Sequence, residues 1–138
     1  MIGEEGWGVS RIEMRAVGRV ESSLTDRAAA PKQGSEGAPE AWLVFEPDVL
    51  EALQGIEVGD EMLVFTWLDR GRRDVLRTRP RDDPANPIQG VFKTRSPDRP
   101  NPIGLHPVTV VSIEGARMLV TDLEALDGTP ILDVKPVI

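Results

Sequence analysis

The chain has 138 residues, of which 40% are hydrophobic, so it is long enough for one globular domain with a buried core but too short for two ordinary domains. It contains no cysteine, which excludes disulfides, thiolate metal ligands and thiol nucleophiles, and its single histidine, His106, argues against a histidine-based metal centre. The net charge of -7 argues against general nucleic-acid binding, because phosphate contacts require a basic surface.

The charge is unevenly distributed along the chain. The segment from Arg70 to Arg99 carries nine basic and four acidic residues, a local balance of +5, so that the remainder carries -12. This asymmetry indicates a local anionic partner on a protein that otherwise repels polyanions. A solvated arginine loop is the alternative interpretation.

No window of the sequence is apolar enough for a membrane span. The first dozen residues include Glu4, Glu5 and Arg11 rather than the apolar core of a secretory signal. We therefore expect a cytoplasmic protein, and the composition predicts no metal cofactor.

The first predicted elements are a leader and a strand. Residues 1–12 have glycines and no apolar periodicity, so they are predicted to form a loose N-terminal leader, followed by one domain over residues 13–138. Residues 14–20 alternate as a half-buried strand does. Residues 21–39 collect Ser, Thr, Gly, Pro and charge, which predicts a long loop of the kind that often carries function.

A helix and further short strands follow. Pro47 occupies a plausible first helical position, and Val49, Leu50 and Leu53 follow at helical spacing, which predicts one short helix. Residues 80–87 are too rich in proline for a helix or an interior strand and are predicted to form a loop. Strands are predicted at residues 41–45, 62–68, 90–94, 108–113, 118–120 and 131–134, with a hairpin turn at Glu114-Gly115.

This pattern lacks the alternation of strands and helices that typifies a doubly wound fold. Closing the sheet would also remove the exposed edges that favour aggregation. The predicted fold is therefore mainly β: a small single-sheeted β-barrel with one short helix and long functional loops.

Two segments carry most of the chemical signal. Residues 90–105 read GVFKTRSPDRPNPIGL, in which three prolines can hold Arg95, Arg99 and Asn101 in a preset arrangement. Residues 126–136 read LDGTPILDVKP, in which Asp127 begins a turn and Lys135 lies two residues after Asp133 on the same strand face. Taken alone, the first could be a rigid barrel connection and the second an ordinary turn with a solvated ion pair.

Together, TRSPDRPNPIGL and LDGTPILDVKP, about twenty residues apart, resemble the signature of the TsaA/TrmO-like (YaeB-like) family of S-adenosylmethionine-dependent tRNA threonylcarbamoyladenosine methyltransferases. The resemblance implies a β-barrel that works as a homodimer and binds S-adenosylmethionine in a non-Rossmann manner. It also implies methylation of the exocyclic nitrogen of threonylcarbamoyladenosine, with the tRNA anticodon loop as partner. No GxGxxG segment follows a predicted strand, in keeping with this expectation.

The resemblance also indicates cofactor-binding positions. Arg95 matches the motif arginine, and Pro31-Lys32-Gln33 resembles a proline-arginine-glutamine motif with lysine in place of arginine, which loses the planar fork. The complete set of cofactor candidates is Pro31, Lys32, Gln33, Leu68, Asp69, Arg95, Leu105, His106, Asp122, Leu123, Glu124 and Asp127.

Two further sets of site residues are predicted. Candidates for moving the acceptor proton are Asp69, Asp127 and His106, and the sequence does not choose among them. Candidates for substrate contact are Arg72, Arg73, Arg77, Arg79, Arg99, Asn101 and Lys135. Trp42 and Trp67 could stack on a base, but both lie in apolar strands, where packing in the core is the favoured interpretation.

The sequence departs from the family pattern in three places. Leu68-Asp69 stands where relatives usually have a histidine, residues 22–30 replace a longer basic loop, and the C-terminal extension of some bacterial members is absent. Two alternatives to a tRNA methyltransferase therefore stay open. One is an S-adenosylmethionine-dependent enzyme that methylates a small molecule, and the other is a non-catalytic RNA-binding barrel.

Overall fold

A computed structural model of the protein describes residues 11–25, 38–80 and 83–138. Its strands are β1 Gly18–Glu21, β2 Ala41–Phe45, β3 Glu61–Trp67, β4 Arg77–Thr78, β5 Gln89–Gly90, β6 Ile103–Glu114, β7 Arg117–Val120 and β8 Pro130–Pro136. Six of them form a closed barrel in the order β1-β2-β7-β6-β3-β8, with antiparallel neighbours throughout. The prediction of a mainly β fold built on a single closed sheet is confirmed.

The barrel interior is filled by alternate residues of each strand. On β3, Met62, Val64 and Thr66 are buried while their neighbours are more exposed, and on β6 the buried positions continue from Gly104 to Val110. Apolar side chains from all six strands form one core cluster. Full burial of a Val or Leu side chain contributes about 1.5–3 kcal/mol, so this alternation is the main reason that the sheet curls around its own side chains.

The strand register places three of the five barrel connections at one end of the barrel. Trp67 at the end of β3 pairs with Ile103 at the start of β6, and Glu21 at the end of β1 pairs with Trp42 near the start of β2. The connections β1–β2 (residues 22–40), β3–β6 (68–102) and β7–β8 (121–129) therefore leave from the same end, which we call the loop end. The β2–β3 (residues 46–60) and β6–β7 (residues 115–116) connections lie at the opposite end.

The β3–β6 connection carries a small hairpin of its own. β4 and β5 pair as a two-stranded sheet outside the barrel. The predicted strand over residues 90–94 is wrong beyond Gly90, because Val91–Lys93 forms one turn of 3-10 helix. The Val91 carbonyl accepts bonds from the Thr94 amide at 3.0 Å and from the Arg99 guanidinium at 2.9 Å, so local bonds replace a sheet ladder there.

Other predicted boundaries also need correction. The first strand begins at Gly18 rather than at residue 14, because residues 11–16 are exposed and have no strand beside them. β6 begins at Ile103, five residues before the predicted start, since the end of the proline motif is already paired with β3. The hairpin turn lies at Gly115-Ala116, where Gly115 has φ of 62°. Residues 1–10 of the predicted leader lie outside the described residues.

The predicted short helix exists, but it is a 3-10 helix over Pro47–Leu53. Pro47 stands at its start as predicted, and the partly buried Val49 and Leu53 pack against the core. None of the described helices has the length and apolar character needed to cross a membrane.

Candidate functional site

The proline motif packs against the segment that follows β3. Its Asp98 accepts a hydrogen bond from the Arg72 amide at 2.9 Å, and the Arg99 amide donates to the Arg72 carbonyl at 2.9 Å. A side chain at Gly71 would collide with the Pro97 carbonyl, so only glycine permits this approach. The two halves of the β3–β6 connection are thereby held together at the loop end.

Arg99 is the internal brace of the proline motif. Its guanidinium donates to the carbonyls of Val91 at 2.9 Å, Thr94 at 3.0 Å and Ser96 at 3.0 Å. Since the planar fork matches several carbonyls at once, an arginine satisfies this curved segment as no other side chain could. Arg99 therefore shapes the loop from within.

Arg73 fixes the end of the same motif. Its Nε donates to the Pro100 carbonyl at 2.7 Å, and its Nη2 donates to Oδ1 of Asn101 at 2.9 Å. The guanidinium also lies 5.2 Å from the centre of the Trp67 ring, within the range of a cation–π contact. Trp67 is thus half-buried beneath an arginine and does not lie in the apolar core.

Two more arginines of the segment have internal partners. Arg72 forms an exposed ion pair with Asp74, with Nη2 at 3.1 Å from Oδ2, and this pairing lowers the pKa of the Asp74 carboxyl. Arg79 donates to the Asn86 carbonyl at 2.7 Å across the loop that follows β4. Much of the basic segment is therefore bound to its own chain.

Arg95 differs from these arginines. It is exposed in the middle of the braced motif, and its guanidinium makes no hydrogen bond or ion pair with any residue that the structure describes. Arg77 on β4 and Lys93 are likewise exposed and without such partners within the described ranges. A fixed backbone that presents a free guanidinium suits the binding of a carboxylate or phosphate.

The β7–β8 connection covers the loop end of the barrel. Leu123 is fully buried and Ala125 is 3% exposed, so alternate residues of this connection enter the core. Asp122 has φ of 60°, a left-handed conformation that Asp tolerates better than most residues. The turn at Asp122 directs the following residues, including the buried Leu123, into the loop end of the barrel.

Asp127 ties this connection to the segment after β1. Its amide donates to the Leu24 carbonyl at 2.7 Å, and its Oδ1 accepts from the Ser22 amide at 3.0 Å. The next amide, that of Gly128, donates to the Val20 carbonyl at 2.8 Å. The predicted turn role of Asp127 is therefore combined with a long-range contact.

A buried hydrogen-bond relay joins the core to the same connection. Nδ1 of His106 lies 2.6 Å from Oε1 of Glu124, and Nε2 lies 2.6 Å from Oγ1 of Thr66. A neutral imidazole satisfies both partners when Nδ1 donates to the carboxylate and Nε2 accepts from the hydroxyl. Oε2 of Glu124 is buried and has no hydrogen-bond partner among the described residues, which costs about 1–3 kcal/mol.

A cleft of about 560 Å³ opens on the barrel wall at the loop end. Its lining includes the carboxylates of Glu21, Glu40 and Asp127 and the ring of Trp42. The Arg117 guanidinium lies 4.3 Å from the centre of that ring. Arg19 also lines the cleft, and the Glu21 carboxylate pairs with Arg19 at 3.2 Å and with Arg117 at 3.3 Å. The cleft therefore carries charges of both signs, and its indole ring is already covered by a guanidinium group.

The described residues of the loop end form no cluster that suits a metal ion. The part of the chain that the structure describes contains no group of three or more His, Cys, Asp or Glu side chains that could hold a metal. The functional groups described at the loop end are carboxylates, guanidinium groups and indole rings.

The family profile described as "tRNA-methyltransferase O N-terminal domain" matches residues 19–138. The chain belongs to this TrmO N-terminal domain family. The match covers the barrel from the second residue of β1 onward and all three connections of the loop end.

Relatives and solved structures agree with the assignment to the TrmO N-terminal domain family. A "Probable S-adenosyl-L-methionine-binding protein" of Methanothermobacter thermautotrophicus is 40% identical over 125 residues, covering 91% of this chain and 89% of the relative. A protein of the same description from Archaeoglobus fulgidus is 38% identical over 125 residues, and the match spans 91% of this chain but 34% of that relative. TrmO from Pseudomonas aeruginosa superimposes with a TM-score of 0.74 at 27% identity, over 93% of this chain and 56% of that structure.

The TrmO domain brings several predicted cofactor positions to the loop end. Arg70 donates to the Thr25 carbonyl at 3.1 Å, which links the segment after β3 to the one after β1, itself bonded to Asp127. The exposed Asp69 and half-buried Leu68 begin the β3–β6 connection, and the half-buried Leu105 lies near the start of β6. The predicted residues Pro31, Lys32 and Gln33 lie outside the described residues.

The substrate candidates are more scattered in the TrmO domain. Arg72, Arg73, Arg79 and Arg99 bind their own chain, and Asn101 accepts from Arg73. Lys135 pairs with Leu63 near the start of β3, toward the end of the barrel opposite the loops. These positions remain predictions, and the described geometry favours a structural role for the four arginines.

Sequence reasoning did not single out Thr66, Glu21 or Glu40. Thr66 is fully buried in the apolar run MLVFTWL, and a lone hydroxyl in such a run is the signal that could have identified it, because a buried hydroxyl requires a partner. Glu21 and Glu40 border the first long loop and carry no local pattern. Only the pairing of β1 with β2 brings them to one cleft.

Proposed function

We propose that this chain is an S-adenosylmethionine-dependent methyltransferase. The observation that carries the proposal is the convergence of the β1–β2, β3–β6 and β7–β8 connections at the loop end of a TrmO N-terminal domain. Support also comes from several relatives that are named S-adenosylmethionine-binding proteins. The chain spans 34% of the Archaeoglobus fulgidus relative and 56% of the Pseudomonas aeruginosa TrmO structure. That this shorter chain has the activity of those longer proteins is therefore part of our proposal.

The residues of the loop end fit the charges of this cofactor. Its carboxylate would pair with Arg95, whose guanidinium has no partner among the described residues. Its sulfonium and ammonium groups are cationic, and the exposed carboxylates of Asp69, Asp122 and Asp127 lie in connections of the same end. The partnerless Oε2 of Glu124 is a further acceptor that this end of the barrel leaves unsatisfied.

The cofactor supplies an activated methyl group, so the protein's task is alignment. Arg99 and Arg73 hold the proline motif by bonds to its carbonyls, and Asp127 ties the β7–β8 connection to the segment after β1. Fixed elements of this kind hold reacting groups in line, for which effective molarities on the order of 10⁵ M are known. The loop end thus favours transfer by positioning.

Asp69 is the proton acceptor that we infer. Its side chain is exposed at the loop end, and its carboxylate has no partner among the described residues. His106 is buried with both ring nitrogens engaged, and one carboxylate oxygen of Asp127 already accepts from Ser22. Of the three candidates, Asp69 is therefore the most accessible to an incoming acceptor.

The acceptor that we propose is the exocyclic nitrogen of threonylcarbamoyladenosine next to the tRNA anticodon. The family description and the TrmO structures support this assignment, and the exposed Arg77 and Lys93 offer cations for phosphate contacts. We further propose that the enzyme acts in the cytoplasm as a homodimer, as the family resemblance implies.

A small-molecule acceptor is the second candidate. It is favoured by the -7 charge of the chain and by the internal bonds of Arg72, Arg73, Arg79 and Arg99, which engage these four guanidinium groups within the chain rather than with phosphates. A tRNA enzyme must show an affinity for tRNA that falls as salt rises, whereas the alternative needs no such affinity.

Incubation of the purified protein with methyl-labelled S-adenosylmethionine and bulk tRNA tests the proposal. Transfer of label to the anticodon-adjacent modified adenosine is expected, and Asp69→Asn should reduce its rate more than its cofactor affinity. Arg77→Gln is a matched surface variant that should lower tRNA affinity without changing cofactor binding. Cofactor binding without transfer to tRNA would support the small-molecule alternative instead.

A further inference from the structure

Thr66 and His106 are buried polar residues of the core to which the proposed reaction gives no role, and with Glu124 they form a hydrogen-bonded relay. Thr66 is fully buried, and the His106 side chain is 3% exposed, so neither can touch a ligand in the described conformation. Both are nevertheless bonded in series to Glu124, which belongs to a connection of the loop end. A polar chain of this kind is costly to bury, so its retention calls for an explanation.

The surrounding backbone is shaped to accommodate the relay. A side chain at Gly104 would collide with Oγ1 of Thr66 and would approach Nε2 of His106 to 2.6 Å. Glycine at this position of β6 therefore keeps the interior space that the hydroxyl and the imidazole occupy. The strand loses a packed side chain there and gains a polar contact between β3 and β6.

Of the four described residues from Asp122 to Ala125, only Glu124 makes a hydrogen bond, and that bond belongs to the relay. Leu123 and Ala125 on either side of Glu124 are buried, which anchors the segment by apolar contacts, but such contacts do not fix its direction as a hydrogen bond does. Three and four residues beyond Glu124, the amides of Asp127 and Gly128 bond to the carbonyls of Leu24 and Val20, after and within β1. The His106 imidazole thus holds the middle of the β7–β8 connection at Glu124, and the end of this connection is bonded to the chain around the end of β1.

We propose that Thr66, His106 and Glu124 form a positioning relay that presets the β7–β8 connection for the cofactor before the cofactor binds. The inference rests on the proposed function, because it takes the loop end as the cofactor site. His106 is then a positioning residue that acts through Glu124. A preset connection lowers the entropy lost on binding, so the relay strengthens cofactor affinity without a contact of its own.

Thr66→Val is the decisive substitution, because valine keeps the shape of threonine but removes the hydroxyl. Calorimetry with S-adenosylmethionine should show a dissociation constant raised about fivefold, the equivalent of one lost hydrogen bond. Thr66→Ser keeps the hydroxyl and should retain the wild-type affinity. Val110→Ala is the control: it truncates a buried side chain of β6 outside the relay, so it should lower thermal stability and leave the affinity unchanged.

Amide hydrogen exchange, measured without any ligand, is a second and independent test of the relay. Loss of the relay should speed exchange at the Asp127 and Gly128 amides about tenfold in Thr66→Val and His106→Gln, and not in Thr66→Ser or Val110→Ala. Failure of the wild type to bind the cofactor would reject the proposed function, and the exchange rates would still decide whether the relay presets the connection. Unchanged exchange and unchanged affinity in Thr66→Val would overturn the relay.

Discussion

Oδ1 of Asp127 accepts a hydrogen bond from the Ser22 amide at 3.0 Å, across 105 positions of sequence. The same residue donates its amide to the Leu24 carbonyl at 2.7 Å. One turn residue thus links the β7–β8 connection to the β1–β2 connection.

Asp127→Ala should lower the free energy of unfolding by about 1 kcal/mol, because the Ser22 amide loses its acceptor. Asp127→Asn retains an acceptor oxygen and should recover at least half of that loss. Urea denaturation of the three proteins measures the effect. Equal stability of the Ala variant and the wild type would show that the Ser22 contact contributes nothing.

Gly104→Ala should destabilise the barrel by about 1–3 kcal/mol, as overpacking of a core does, because the new methyl group would meet Thr66 and His106. Gly90→Ala is the matched control, since the nearest atom to a side chain there is the Leu76 carbonyl oxygen at 4.0 Å. Denaturant unfolding compares the two variants. A Gly104→Ala protein as stable as Gly90→Ala would contradict the described packing.

Arg99→Lys should loosen the proline motif, because an ammonium cannot bond to the three carbonyls that the planar guanidinium reaches. We expect a loss of about 1–2 kcal/mol and faster proteolytic cleavage between Val91 and Pro100. Arg77→Lys, at an exposed position of β4, should change neither property. Cleavage at the same rate in both variants would argue against the bracing role of Arg99.

The Arg15–Asp48 ion pair predicts a pH effect at an exposed site. A hydrogen bond from Arg15, with Nη2 at 2.7 Å from Oδ1, lowers the pKa of the Asp48 carboxyl. A lowered carboxyl pKa contributes stability that is present above the unfolded-state value of about 4 and is lost as the pH falls through the folded-state value.

A carbon-detected NMR titration should find the Asp48 midpoint below that of an ordinary aspartate. Arg15→Gln should restore the ordinary midpoint, whereas Arg11→Gln removes the same charge from a neighbouring exposed position and should leave it unchanged. An Asp48 midpoint that does not respond to Arg15→Gln would show that the pair does not persist in solution.

The sequence predicts the barrel because its information is local. The short apolar run Ala41–Phe45 gives β2 with the correct bounds, and the apolar run predicted at residues 62–68 becomes β3 one residue earlier, at Glu61–Trp67. Gly90–Thr94 was harder to predict, because the turn at Val91 depends on Arg99, eight residues away. The secondary-structure propensities of residues 90–94 alone do not predict a bond to Arg99.

The loop end was predictable only in part. The two motifs indicate Arg95 and the segment from Asp122 to Asp127, since these residues carry the family pattern. The sequence does not indicate that Arg73 and Arg99 bond to backbone carbonyls, because an arginine that braces a loop and one that meets a phosphate look alike in a charge count. Nor does it pair Thr66 with His106, forty positions away, since only the β3–β6 register brings them together.

Calorimetry with S-adenosylmethionine on the wild type and Arg95→Ala tests the central claim most directly. We expect saturable binding by the wild type, a dissociation constant raised at least about tenfold by Arg95→Ala, because a charge-assisted bond is lost, and little change in Arg77→Ala. No binding by the wild type would contradict the proposed cofactor. Undiminished binding by Arg95→Ala would contradict the assignment of Arg95 to its carboxylate.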